Sequence, residues 1–262
     1  MATNFVVAGT IIRNRAWIVD KHYGHLMAQN RLPNVIFYVE GDSEDTTLEC
    51  LRSLQTYHWS LRKVRDGYRS PEFDVSIEIA TFNTGYPGWH RGTRQSGWKE
   101  VPGGGMRYSS ENMSKVRNHW IDEALKRWPQ ATHFWMVDSD VLPNRDVLQL
   151  LLDAKEPIIG GIVRHGENAY SFMQKWVDQQ PRRSGQERSF LKHITPLPVT
   201  FVGACCMLVE RAVFENGIRF EANPNGEDVA FAINARDKYL MTAHPLARCE
   251  HWMGENEVWR VE

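Results

Sequence analysis

The stretch that decides the fold reads Phe134-Trp135-Met136-Val137-Asp138-Ser139-Asp140, continuing through Val141-Leu142 into the turn-forming pair Pro143-Asn144. An unbroken apolar and aromatic run of this length reads as a strand buried on both faces. The carboxylates of Asp138 and Asp140 then stand at the carboxyl end of that strand, the edge where open α/β sheets bind ligands. Paired carboxylates with a short spacer suit a hard divalent cation, typically one shared with substrate phosphates. Asp and Ser are also ordinary turn and cap residues. The reading therefore depends on what flanks the stretch.

Working outward, strand-like and helix-like runs alternate. Strands are expected at Phe5–Ile12, Val35–Val39, Val75–Ala80, His133–Val137 and Pro157–Val163, with one long strand, containing Gly203, at Val199–Val209. Helices are expected at Arg15–Gln29 with Asn14 as cap, and from a Ser43 cap to about Thr56, with Leu48, Leu51 and Leu54 on one face. Further helices are expected at Glu111–Trp128, from Asn144 to about Ala154, at Arg211–Glu215 and at Glu227–Tyr239, the last after a turn at Asn223–Gly226. Thr84–Ser110 carries prolines, consecutive glycines, Trp and basic residues, and is too long for an ordinary connection. His165–Leu197 is irregular, polar and basic, and the tail from His244 shows no clear period. The alternation predicts one α/β domain over residues 1–262, Rossmann-like, with a mixed, mostly parallel sheet and helices on both faces.

Composition narrows the function classes. The chain has 262 residues, a net charge of -1 and a pI near 6.8, so no global electrostatic case for nucleic acid exists. Ten tryptophans are present, and those in polar company (Trp89, Trp98, Trp176, Trp252, Trp259) suit either a core rim or a cleft that stacks flat ligands. The four cysteines form no C-x-x-C pair, which argues against a zinc cluster or disulfide framework and for a reducing, cytoplasmic setting. No apolar stretch reaches the roughly 18 residues of a membrane span, and the opening residues read as a first strand, not a signal peptide.

Four further segments fall in a fixed order: Arg13-Asn14-Arg15 after the first strand, "VEGDSEDTT" (Val39–Thr47) after the second, "KVRN" (Lys115–Asn118) on the helix before the acidic strand, and "NGEDVAF" (Asn225–Phe231) opening the late helix. Together with "VDSD" (Val137–Asp140) they resemble the motifs of family-2-type GT-A glycosyltransferases, and "IIRNRAWIVDKHYGHL" (Ile11–Leu26) is similar to the opening of Anp1-type mannosyltransferases. Glu40-Gly41 departs from the family's usual pair of Asp.

The resemblance implies a nucleotide-sugar half over about 1–163 and an acceptor-side part over about 164–262. It implies a metal-dependent, inverting transfer of a sugar from a UDP- or GDP-type donor to a saccharide or protein hydroxyl. Donor-binding residues would be Arg13, Glu40, Asp42, Arg117, Asn118 and Asp138. Mn²⁺ or Mg²⁺ would be held by Asp138, Asp140 and His251. Asp228 would be the general base, with Glu227 next in line. The irregular segments, with Trp89, Trp98, Arg182 and Arg183, would grip the acceptor, and their mixture of cations and aromatics also suits a hydroxylated base in DNA, including viral DNA; the enzyme would then work in the host cytoplasm. Readings from other classes are a non-catalytic nucleotide-sugar or glycan-binding module and a nucleotidyltransferase. Structural alternatives stand beside each role: Glu227 and Asp228 would complement a helix dipole, Ser43 and Asp45 would cap a helix, Arg117 would lie on a solvated helix face, and Arg182 would belong to a solvated loop.

Overall fold

The computed structural model describes residues 4–64, 74–84, 110–167 and 169–261. β1 (Val6–Ile12) is buried along its whole length, with its side chains alternating between two apolar layers. Val7 and Ile11 face one layer, and Val6, Ala8 and Ile12 the other, as the two-residue period of a strand requires. Gly9 faces the first layer, where a Cβ would lie 1.7 Å from the indole of Trp120. That indole crosses β1 to donate from Nε1 to the Phe37 carbonyl at 3.1 Å, so the site takes glycine for close approach.

β1 pairs in parallel with β2 (Val35–Glu40) on one side and with β4 (His133–Val137) on the other, and β2 pairs in parallel with β3 (Ser76–Thr81). The order β3-β2-β1-β4 reverses direction between β1 and β4, which makes their carboxyl ends a topological switch point. Beyond β4 the sheet becomes mixed. β14 (Cys206–Glu210) is antiparallel to β4 and to β6 (Ile158–Ile162), and β15 (Met241–Gly254) runs parallel to β6. β12 (Leu197–Val199) closes that edge, while β5 (Val141–Pro143) and β16 (Glu257–Trp259) pair with the far half of β15. The described residues thus form a single α/β domain whose main sheet takes strands from both sides of residue 163.

α1 (Val19–Met27), α2 (Thr47–Val64) and α4 (Val147–Asp153) cover one face. α3 (Ser110–Arg127), α6 (Arg211–Glu215) and α7 (Glu227–Ala235) cover the other. No described helix is long and apolar enough to cross a membrane.

Several expected boundaries are corrected. The first helix is preceded by a 3₁₀ turn at Ala16–Ile18, and Asn14, at φ 49, caps neither element; its Oδ1 accepts from the Glu44 N–H at 2.7 Å. α2 starts at Thr47, whose N–H donates to Asp45 Oδ1 at 3.0 Å, and it extends past Thr56 to Val64; Ser43 Oγ instead accepts from the Asn14 N–H at 3.1 Å. The helix expected from an Asn144 cap begins at Val147. The expected strand Val199–Val209 divides into β12, β13 (Phe201–Val202) and β14, because its parts pair with different partners: β15, β9 (Phe172–Met173) and β4. α7 stops at Ala235, where the Lys238 and Tyr239 N–H groups both turn back onto the Ala235 carbonyl. The irregular region after His165 holds short hairpins, among them β7 (Arg164–Gly166) with β8 (Ala169–Tyr170), and β10 (Lys175–Val177) with β11 (Gln180–Arg182), and a short helix, α5 (Glu187–Phe190). The aperiodic tail from His244 holds most of β15, the longest described strand, and β16.

Candidate functional site

The carboxyl ends of β1 and β4, the N-terminus of α7 and the far end of β15 converge at the switch point. Arg117, on the buried side of α3, is the link across it. Its Nε donates to Glu227 at 2.9 Å and one NH₂ donates to Asp138 Oδ1 at 3.1 Å, with its side chain 7% exposed and Glu227's 1%. A buried guanidinium is tolerable only with such partners. The fork therefore points at protein carboxylates and joins the DSD turn to the start of α7.

Asp228 sits beside this link, half-buried, and its Oδ1 accepts from the Val229 N–H at 3.0 Å. Gly226 precedes the acidic pair at φ 118, a region closed to other residues, and a Cβ there would meet Asp228 Oδ1 at 2.8 Å. The carboxylate is thus folded back over the glycine, which explains the Gly-Glu-Asp order. Burial pushes the Asp228 pKa up to about 7, the Glu227 and Asp138 charges add to the rise, and Arg117 opposes it. The helix dipole alone would favour an anion well below neutrality; desolvation outweighs it and poises the group near neutral pH. Asp138 is likewise raised, first by burial, against the pull of Arg117.

Asp140 has a different neighbourhood. Its Oδ2 accepts from Arg15 at 3.2 Å, and its Oδ1 lies 3.9 Å from His251 Nε2. The Trp252 N–H donates to the Asp140 carbonyl at 2.8 Å and His251 pairs with Val141, so β15 is pinned directly to the acidic turn. His251 Nδ1 lies 3.0 Å from the Arg164 carbonyl. A carbonyl only accepts, so Nδ1 donates to it, which leaves Nε2 as the ring nitrogen that faces Asp140. This is the outer hydrogen bond that orients metal-binding imidazoles. Among the described residues no three His, Cys, Asp or Glu side chains are grouped closely enough to hold an ion as they stand. The Asp140–His251 pair nevertheless fits one, since two donors on bonds of about 2.1 Å lie roughly 3–4 Å apart. Carboxylate oxygen with one imidazole suits Mn²⁺ somewhat better than Mg²⁺.

Other expected donor-binding residues are engaged within the protein. Arg13 is buried and pairs with Glu44 at 3.6 Å. Glu40 is buried and accepts from the Ser43 N–H at 3.1 Å. Asp42, at φ 55, accepts from the Thr84 N–H at 2.8 Å and its hydroxyl at 2.9 Å, clasping the loop after β2 to the segment after β3. Asn118 uses both ends of its amide on the backbone of Phe220, at 2.8 and 3.1 Å, and so tethers the approach to α7. Arg182 and Arg183 are exposed at the end of the β10–β11 hairpin, whose Gln180 side chain lies 3.4 Å from that of Asn225. Trp89 and Trp98 lie outside the described residues.

The sequence reading did not single out Arg15 or His22. Arg15 lay in the marked Arg13-Asn14-Arg15 segment, yet nothing local distinguishes it from Arg13. His22 is fully buried between Tyr38 OH at 3.2 Å and Thr10 Oγ1 at 3.5 Å, and burial lowers its pKa to about 4, so the ring is neutral.

No family model matches the chain, and no curated protein matches it in sequence. Solved structures do match. One is GalNAc-T7 with UDP, GalNAc and Mn²⁺, at 11% identity and a TM-score of 0.61, covering 99% of this chain and 44% of that one. Another is the 1–349 portion of S. aureus TarS, at 13% identity and a TM-score of 0.53, covering 92% and 58%. A third is the mannosyltransferase PcManGT of Pyrobaculum calidifontis with GDP-Man and Mn²⁺, at 14% identity and a TM-score of 0.52, covering 93% and 55%. The chain spans about half the length of these three neighbours. Likeness at such identities shows the fold, which is that of the GT-A glycosyltransferases.

Proposed function

We propose that this chain is a metal-dependent glycosyltransferase that moves a sugar, with inversion, from a UDP- or GDP-type donor to a saccharide or protein hydroxyl. The observation that carries the reading is the chain of contacts Asp138–Arg117–Glu227 with Asp228 beside it: a single guanidinium separates the acidic turn from a carboxylate poised near pH 7. The neighbours solved with UDP or GDP-Man and Mn²⁺ support the choice of donor and ion.

In this reading Asp140 and His251 hold the divalent ion, with Asp138 alongside. The ion, when bound, stabilises negative charge on the departing diphosphate as a Lewis acid. Asp228 takes the proton from the acceptor oxygen as that oxygen attacks the anomeric carbon, a role typically worth about 10²–10⁴-fold. Glu227 is held by Arg117 and has the supporting part: its charge raises the affinity of Asp228 for the proton. Arg117 keeps Asp138 and Glu227 in register. Arg182 and Arg183 have the acceptor-binding part, a role their exposure on the hairpin next to Asn225 supports.

The test is a panel of UDP- and GDP-sugars offered with saccharide, peptide and hydroxymethylated DNA acceptors, with and without EDTA, analysed by mass spectrometry and by the anomeric configuration of the product. Transfer that needs Mn²⁺ or Mg²⁺ and inverts the configuration is expected. Full activity in EDTA, retained configuration, or a nucleotidylated product would each overturn a stated part of the reading.

A further inference from the structure

The Arg15–Asp140 contact has the geometry of a weak, replaceable ion pair. It is single-pronged, and at 3.2 Å it is longer than the roughly 2.7–2.9 Å usual for a charge-assisted N–H···O bond. Among the described residues the second NH₂ of Arg15 reaches only the Asn14 carbonyl, at 3.3 Å, and its buried Nε has no hydrogen-bond partner. The Arg15 side chain is 11% exposed, so this donor capacity is desolvated and unfilled. Its backbone is fixed, since the N–H donates to Thr47 Oγ1 at 2.8 Å, so an exchange of partners falls to the side chain. Asp140 thus sits between a loosely held guanidinium on one oxygen and the Nε2 of His251, 3.9 Å from the other.

We propose that Arg15 is a placeholder cation: it occupies Asp140 until ion and nucleotide diphosphate arrive together, and then transfers its guanidinium to the diphosphate. The inference rests on the metal-dependent reading above. An ion arriving alone must compete with Arg15 for Asp140 and tolerate its charge. A diphosphate gives the guanidinium a second anionic acceptor, which its planar fork is built to grip. Ion and nucleotide therefore tighten one another's binding, and linkage requires the factor to be the same in both directions. Either ligand by itself binds the wild-type site more weakly than it does with the other present.

The experiment measures Mn²⁺ binding by electron paramagnetic resonance, alone and with UDP or GDP, corrected for Mn²⁺ held by free nucleotide. Wild type, Arg15→Gln and Arg15→Lys are compared, with thermal unfolding to confirm that each is folded. Arg15→Gln is expected to bind Mn²⁺ alone about tenfold tighter or more, the scale on which an adjacent opposite charge biases a carboxylate. The factor by which nucleotide tightens Mn²⁺ should fall to the same extent, and Arg15→Lys, which keeps the charge, should return Mn²⁺ affinity toward wild type. A merely structural Arg15 predicts the opposite sign, the roughly 10–100-fold loss typical of removing an outer-shell partner; that loss, or an unchanged coupling factor, overturns the proposal. If Arg15→Gln does not fold, Arg15→Met, which also removes the charge, takes its place, and undiminished coupling in that variant overturns the proposal as well. A wild type that binds no Mn²⁺ even with nucleotide would instead overturn the metal-dependent reading on which the proposal stands.

Discussion

Replacing Glu227 by Gln should move the acid limb of the activity profile toward lower pH. Asp228 is held up at about 7 by burial first and by the Glu227 charge second, with Arg117 pulling the other way. Gln removes the Glu227 charge and leaves Arg117, now balanced by fewer anions, nearer to full effect on Asp228. Both changes favour the carboxylate. A neighbouring charge is worth about 1–3 pKa units in such a site, so the limb should shift down by roughly one unit or more, each unit being about 1.4 kcal/mol. A base works when deprotonated, so kcat/KM in wild type should rise through pH 7 and level above it, and in the variant the rise should come earlier. Gln keeps an oxygen facing Arg117 Nε, so the stability cost should stay within about 1–3 kcal/mol. The assay is initial rates of transfer, or of donor hydrolysis, across pH 5–9. A carboxyl ¹³C titration of Asp228 reads the same shift without any substrate. A wild-type profile flat from pH 5 to 8, or a variant limb displaced upward, would refute the argument.

Further outcomes follow from the same geometry. Asp228→Asn should lower kcat by about 10²-fold or more, the size of a general-base effect, while equilibrium dialysis shows nucleotide binding nearly unchanged. It should also flatten the pH dependence of unfolding: the raised pKa makes the folded state bind the extra proton between about pH 4 and 7, so wild-type stability falls as pH rises through that window. His22, lowered to about 4, has the opposite sign. Its contribution is complete above about pH 6.5 and lost as pH falls to about 4, worth about 3 kcal/mol, and a denaturant titration of His22→Gln should lack that acid loss. Gly226→Ala should cost about 1–3 kcal/mol in backbone strain and depress kcat, since its Cβ displaces the Asp228 carboxylate; a variant with wild-type kcat and melting temperature would show that the φ 118 conformation is not needed.

The strands and helices that flank the acidic turn are written locally. Phe134–Val137 is apolar without interruption and forms a strand buried on both faces; Arg211–Glu215 forms its helix with the expected bounds, and the parallel core strands fall within a residue or two of their expected ends. This is periodicity, which each segment carries in its own side chains. Asp138 reaches the switch point at the carboxyl end of a parallel strand, as its place in the sequence implied; Arg117 on α3 and Glu227 and Asp228 at the start of α7 are brought to it by helix packing and ion pairing.

Pairing was not legible. Arg117 meets a carboxylate 110 residues away, and Arg15 one 125 residues away. Such partners are chosen by sheet register and by which groups share a desolvated space, and neither leaves a trace in local sequence. The tail shows why. β15 pairs with β12, β6, β5 and β16 along its length, with an irregularity between Ala243 and Arg248, so its faces change from one neighbour to the next and no single period survives. His251 could be marked as a candidate from its chemistry. Its position beside Asp140, its hydrogen bond to the Arg164 carbonyl and the nearness of Arg15 to the same carboxylate were decided by the tertiary structure, which alone sets who is buried with whom.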